Sequence, residues 1–406
     1  MPNEFAPRSP SFLEVWEDTQ YWYFSAANVN GLFRAHRETM ETAFLSCFPE
    51  ESVGTRLLHR HVFAYQQRLY FTPFFGHGIA IYTPETGAFD FVRLADENES
   101  GLLFAESYRD AHDERLLWII PADRRTELVV FDMEMHTFRS EISFWRSIEQ
   151  AVPAGTLLSI DSFGTSCTDN VLRLVLCGSN AVVSVDLDDF AVRCDHLPAQ
   201  FSAEELFCFD GEEWFLLRNS DSVLCHDTKT GKLTEYTCPT CAPSSRPYTR
   251  IIAVGDARYV LPFLTNRILR IDPARGELTP VAITYPPQFE RLCWQDTFFF
   301  GFTPLGGQAI RLFPYGGNGM LELDFQTESA AFIPLLTGED NTSLFARAAE
   351  EQLKNSLRGD NMLQENDLVG LDELLDFVEQ IQVDPREQTA GHAGDAIWEA
   401  LRKELP

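Results

Sequence analysis

Basic side chains are scarce in this chain. Of its 406 residues, 32 are Lys or Arg and 61 are Asp or Glu, a formal net charge of -29. Such a surface repels phosphate backbones and anionic lipid, which argues against nucleic-acid and membrane partners. The short basic stretches "RRT" at 124–126 and "LRKEL" at 401–405 are too small to form a patch. Long apolar runs are also missing, and none approaches the roughly 20 residues of a membrane-spanning helix. The opening "MPNEFAPRSPSFLEVWEDTQ" has no basic segment followed by an apolar one, so no secretory leader is expected. Cysteines number nine, an odd count, and several sit in apolar runs such as "LCW" and "LFCF". That pattern predicts reduced, buried thiols and a cytoplasmic protein rather than a disulfide framework. Charged residues make up only 23%, whereas 13% are aromatic, with 33 Phe. This excludes a disordered chain and predicts a well-packed one.

What the sequence does have is a repeated phrase. "RILRIDPARGELTPV" at 267–281 matches "GIAIYTPETGAFDFV" from Gly78 and "SVLCHDTKTGKLTEY" from Ser222. Aligned on Asp272, seven anchors appear: His36, Thr83, Asp132, Asp186, Asp227, Asp272 and Asp324, spaced 41 to 54 residues apart. Repeats of that length built from short strands mark propeller blades. Around each anchor an apolar run precedes a polar break, then a second run ends at the anchor and a more polar run follows. The apolar runs are "RLYF", "RLLWII", "VLRLVL", "EWFLL", "RYVLPF" and "FFFGF" at 298–302. One more short run stands upstream, as "EVW", "HVFAY", "IIAV" and "RLCW" do, which makes four strands per unit. The recurring phrase is therefore the turn between third and fourth strands. Asp or Thr at its start caps backbone N–H groups, and the residue four later needs positive φ. Gly87, Gly231 and Gly276 hold that place, while Met40, His136, Phe190 and Glu328 replace glycine elsewhere.

The fold expected is all-β: a seven-bladed β-propeller over residues 12–336, with a small α-helical C-terminal extension over 341–406. Six or eight blades remain open because the first and last units are the least regular, and a double sandwich of short strands is the competing architecture. The Asp-Pro-x-x-Gly and Asp-x-x-Thr-Gly turns resemble those of bacterial β-propellers of the quinoprotein-like and YVTN-like superfamily. The chain departs from WD repeats, with no Gly-His and Trp-Asp pair per unit, and from kelch repeats, with no double glycines. The resemblance implies architecture and no functional residue. Within the 54-residue interval, "SFWRSIEQAVPAG" at 143–155 predicts a helical turn on the rim.

Beyond the repeat, "TSLFARAAEEQLKNSLRG" reads as a helix closing on Gly359. "ENDLVGLDELLDFVEQI" places Leu368, Leu371, Leu374, Leu375, Val378 and Ile381 on one stripe, and "DAIWEALRKEL" does so with Ile397, Trp398 and Leu401. These helices either pack on the propeller and help to hold the ring closed, or offer Leu371, Leu374, Leu375, Val378, Ile397, Trp398 and Leu401 to a partner.

Motifs that carry chemistry are few. Cys238 and Cys241 have the spacing of half a zinc site, but no second CxxC or HxxxH exists, so they read as two loop thiols. His59 and His61 would share a strand face with no carboxylate to complete a metal site, and read as solvated. "FPYGGNGM" at 313–320 lacks the residues of a phosphate cradle and reads as a hairpin loop. "YRDAHDE" at 108–114 gathers Asp110, His112, Asp113 and Glu114, a general acid–base group if it lies in a cleft and a solvated connection otherwise. No Gly-x-Ser-x-Gly elbow is present, and no metal or other cofactor is implied.

One constellation follows from the architecture. Loops joining second to third strands gather at one mouth of the channel, and they carry Asn28, Asn30, His77, Arg124, Asn180, Asn219, Asp221, Asn266, Arg267 and Gln308. Phe74, Phe75 and Phe263 stand beside them. Polar groups converging between apolar walls make a ligand site, although Asn and Gly also suit hairpins. The function expected is that of a non-enzymatic cytoplasmic binding or scaffold protein, recognising a protein, a peptide or a sugar-like small molecule. A hydrolase or lyase at the channel mouth, using "YRDAHDE" with His77, is the first alternative, and a structural subunit of a bacterial assembly is the second.

Overall fold

The computed structural model describes residues 10–95, 103–218, 220–238, 248–262, 267–286, 299–314, 319–338 and 341–359. Seven antiparallel sheets follow one another along the chain, six of four strands and one of five. They span Trp16–Ser46, His59–Arg93, Phe104–Glu141, Ile160–His196, Ala203–Tyr236, Tyr248–Pro280 and Phe299–Pro334. The chain is a seven-bladed β-propeller. It divides into two units, Met1–Ala348 and Ala349–Pro406, and the blades belong to the first.

The blades are held by seven apolar clusters, one at each seam. Trp118 and Ile120 face blade four, where Leu172, Leu174 and Val183 meet them. Leu117 and Ile119 of the same strand face blade two, against Tyr70 and Ile79. Alternate residues of a strand point to opposite faces. A middle strand pressed between two neighbours must therefore be apolar at every position, which is why "RLLWII" shows no alternation. The fourth strands lie at the rim, and Thr137–Glu141 is exposed at four of its five residues.

The third-to-fourth turns form as their sequence predicts. Oδ1 of Asp272 accepts from the N–H groups of Ala274 and Arg275 at 3.0 and 3.2 Å, and Asp132, Asp227 and Asp324 do the same in their blades. His36 substitutes its Nδ1, 3.2 Å from the Glu38 nitrogen. At the fourth residue after the anchor, all seven units have positive φ, between 52° and 71°.

Two expectations about the last blade and the tail need comment. "FFFGF" is not a second strand: Phe299–Gly306 is the first strand of blade seven and Ala309–Pro314 the second. The phenylalanine run resembles a buried middle strand, but its glycine has a different cause. A β-carbon on Gly301 would run into the carbonyl of Leu13, where the N-terminal segment crosses the inner strand. Gln308 therefore sits on a first-to-second turn, away from the loops with which it was grouped. The ring closes outside the blades. After blade seven, Leu336–Thr337 adds a short parallel strand to the outer edge of blade one, pairing Leu336 with Glu41. Helix α2 (Thr342–Gly359) follows, over the span read from its caps, and Leu344, Phe345 and Ala348 are buried with Phe24, Phe33 and Phe313 in the seam between blades seven and one. Helix α1 (Ser143–Ala151) likewise buries Phe144, Trp145 and Ile148 in the seam between blades three and four.

Candidate functional site: the central channel

Each blade's first strand is its innermost. In blades two to seven it carries an irregularity near its start, where extra residues oppose the second strand. A bulge re-aims the side chains that follow it. Two residues past the first paired position stand His61, Glu106, Glu205 and Arg250, with Gly301 in that place in blade seven. Charged groups thus occupy one level of the inner wall in four blades.

The inner strands enclose a cavity of about 390 Å³, to which all seven blades contribute or lend their N-terminal approach. Glu14 lies in the segment leading into blade one. His61 and Phe63, Glu106 to Arg109, Thr165 to Cys167, Phe207 to Phe209, Arg250 with Ile251, and Phe302 complete the wall. Small-molecule sites of other proteins have volumes of about 300–1,000 Å³.

The charges in this wall are ordered. His61 Nδ1 is 2.7 Å from Glu14 Oε2, and its Nε2 contacts Glu106 Oε1. Carboxylate oxygens only accept, so both ring nitrogens must donate and the imidazole is a cation. Burial alone would disfavour that charge, but Glu106 and Glu14 outweigh it and raise the His61 pKa to about 9. Glu106 also forms an ion pair with Arg60, its Oε2 2.6 Å from Arg60 Nη2, and Arg60 Nη1 donates to the Ala105 carbonyl at 2.5 Å. Burial would raise the Glu106 pKa, yet Arg60, His61 and Arg250 hold it below the usual value. His59, by contrast, is buried without a counter-charge and its pKa falls to about 3, so it is neutral. The expectation of solvated histidines does not hold for this strand: His59 is buried and His61 is paired with two carboxylates, because closing the ring brings Glu14 and Glu106 against a strand on which no carboxylate stands nearby in sequence.

The rest of the wall mixes apolar and neutral side chains with two arginines. Arg109 lies over Phe63 and Arg250 over Phe302, each 5.8 Å from the ring centre. Arg109 also donates to the carbonyls of Ala64 and Glu114. Tyr108 and Thr165 share a hydrogen bond of 2.7 Å. Ser107 is only 4% exposed and its hydroxyl has no partner. Burial raises the Cys167 thiol to about 12 and pushes Cys208 upward, so neither is a thiolate near neutrality.

The residues expected at the channel mouth stand on the second-to-third loops. Antiparallel strands put second-to-third loops and blade connections at one end of each blade, and first-to-second turns at the other. Asn30 is fully buried, and its amide joins the backbone of Phe48 and Glu51. Asn28 accepts from the Ser11 nitrogen at 3.2 Å, His77 lies 3.3 Å from Glu51, and Arg124 pairs with Glu149 of α1 at 2.9 Å. The Asp221 carbonyl accepts from Tyr248, and Arg267 is exposed. None of these six lines the cavity. Asn219 and Asn266, and the tail residues Leu371, Leu374, Leu375, Val378, Ile397, Trp398 and Leu401, lie outside the described residues.

The catalytic grouping of "YRDAHDE" with His77 fails on topology. His77 is on a second-to-third loop, whereas Asp110 to Glu114 form a first-to-second turn at the opposite end. Asp110 is moreover committed, accepting from the His112 and Asp113 nitrogens, Trp118 Nε1 and Asn170 Nδ2. Cys238 is disulfide-bonded, so it is not an unpaired loop thiol, whereas Cys47, Cys167, Cys177, Cys194, Cys208 and Cys225 are not in disulfides. Among the described residues no group of three or more His, Cys, Asp or Glu could hold a metal, and no helix is long and apolar enough to cross a membrane.

No protein-family model matches the chain, and no curated protein does. Solved structures do. YCF48 bound to D1 peptide has a TM-score of 0.53 at 8% identity, covering 77% of this chain and 91% of that one. PorZ, a surface component of the type-IX secretion system of Porphyromonas gingivalis, has 0.50 at 15%, covering 81% of this chain and 38% of its own. A streptogramin B lyase has 0.49 at 15%, covering 71% and 86%. The likeness is one of fold.

Proposed function

We propose that this chain is a binding protein whose propeller admits a ligand into its central channel. One observation carries the reading: inner strands from around the ring converge on a single cavity that holds fixed charges and phenyl rings. The ligand class is a small molecule or a short peptide, and a propeller of this fold, YCF48, is known with a bound peptide. The compartment proposed is the cytoplasm, on the six described cysteines that are not disulfide-bonded, with the Cys238 disulfide as the observation that weighs against it.

The apolar stripe of the tail, Leu371 to Leu401, is proposed as a separate partner surface on its sequence pattern. Its truncation must spare α2, since Leu344, Phe345 and Ala348 belong to the closing seam. Hydrogen–deuterium exchange of the full chain, with a mixed library of small acids, amines, sugars and short peptides, tests the channel. Binding is expected to slow exchange in His59–Tyr65, Phe104–Arg109 and Ala203–Phe209. Protection confined to the rim or to the second-to-third loops, or no protection by any library member, overturns the reading.

A further inference from the structure

The outer edges of the blades are not equally covered. Leu336–Thr337 pairs with the edge of blade one, Thr237 bridges to Glu277 in blade six, and Thr284 bridges to Ser329 in blade seven. Among the described residues nothing pairs with the outer edge of Thr137–Glu141 in blade three. Four of its five residues are exposed, and no other outer strand exposes more than three. Phe138 is 42% exposed, and Ile142, where the strand hands over to α1, is 61% exposed. An uncovered edge presents backbone N–H and C=O groups that a further strand can pair.

We infer that this edge pairs with the same edge of a second copy of the chain, antiparallel about Ser140. A two-fold antiparallel pair sets one residue opposite itself, and the side chains choose which one. With Ser140 at the centre, Arg139 stands opposite Glu141 of the second copy, Glu141 opposite its Arg139, and Phe138 opposite its Ile142. Arg139 and Glu141 share a face of the strand, as their 2.7 Å ion pair requires, so both cross-strand charge pairs fall on that face. Phe138 and Ile142 meet on the other. Opposite charges and apolar pairs directly across two strands stabilise a sheet, and like charges there destabilise it. Centring on Arg139 instead would set guanidinium against guanidinium, and centring on Phe138 would leave both charges unmatched. The chain's formal net charge of -29 opposes contact between copies, so self-association needs a stretch whose own charges cancel, as these two do.

The test is sedimentation velocity of the full chain from about 5 to 500 µM, because two short edges make a weak interface of less than about 1,200 Å². The parent is expected to pass from monomer to dimer across that range. Arg139→Glu, and separately Glu141→Arg, sets like charges opposite each other twice, which should raise the dissociation constant about ten-fold or more. An equimolar mixture of the two variants should dimerise again, since each copy then supplies the charge that the other needs, and so should the double variant R139E/E141R. The ion pair within the strand lies at the surface, so urea midpoints should stay near the parent's, which separates lost pairing from lost folding. A parent that is monomeric at the highest concentration, a dimer that both single variants retain, or a mixture as monomeric as its components overturns the inference.

Discussion

Replacing Glu106 by Gln isolates the electrostatics of the inner wall with little change in volume. The carboxylate touches Arg60 and His61, and both Arg60 and Glu106 are more than nine-tenths buried. Removing one member of a buried pair leaves its partner charged and desolvated, a loss of about 3–5 kcal/mol. The loss should depend on pH with a definite sign. The folded pKa of His61, about 9, lies above its ordinary 6.5, so its contribution is complete below 6.5 and vanishes as pH rises through 9. Glu106 is shifted downward from 4.5, so its contribution is present above that value and disappears as acid protonates it in the folded protein. Urea unfolding at pH 7 should show the full loss for Glu106→Gln, and at pH 10 a smaller one, because only the Arg60 contact then remains to be broken. The His61 ring resonances should titrate near 9 in the parent and lower in the variant. A loss below about 1 kcal/mol, with His61 still titrating near 9, would refute the account of this wall.

Two further outcomes concern the turns and the thiols. Gly276 has φ of 70° and open space where a β-carbon would go, so Gly276→Ala should cost about 1 kcal/mol through backbone strain alone. Glu328→Gly, at φ of 52°, should shift the urea midpoint the opposite way, with a gain of up to about 1 kcal/mol after the added freedom of the unfolded chain. Alkylation of the unfolded, unreduced protein followed by peptide mapping should label Cys47, Cys167, Cys177, Cys194, Cys208 and Cys225 and leave Cys238 unmodified until a reductant is added.

The turns were legible because every bond that makes them is local. Asp272 caps nitrogens two and three residues on, and Gly276 donates to the Asp272 carbonyl at 2.9 Å, so four or five consecutive letters specify the conformation. Blade number followed from counting those turns, and the middle strands from their unbroken apolar runs. The first strand of blade seven was misread because its glycine answers to Leu13, far away in the chain. The channel was missed for the same kind of reason. A charged residue in the middle of a largely buried first strand, as with Glu106 in "FAESYR" or Arg250 in "YTRIIAV", was its one visible signal. Sequence alone determined the seven units, their turns and the helix that follows them, since each depends on neighbours along the chain. Which charges meet in the channel was decided by ring closure, because Glu14, His61 and Glu106 lie more than forty residues apart and come within hydrogen-bonding distance only when the blades are assembled.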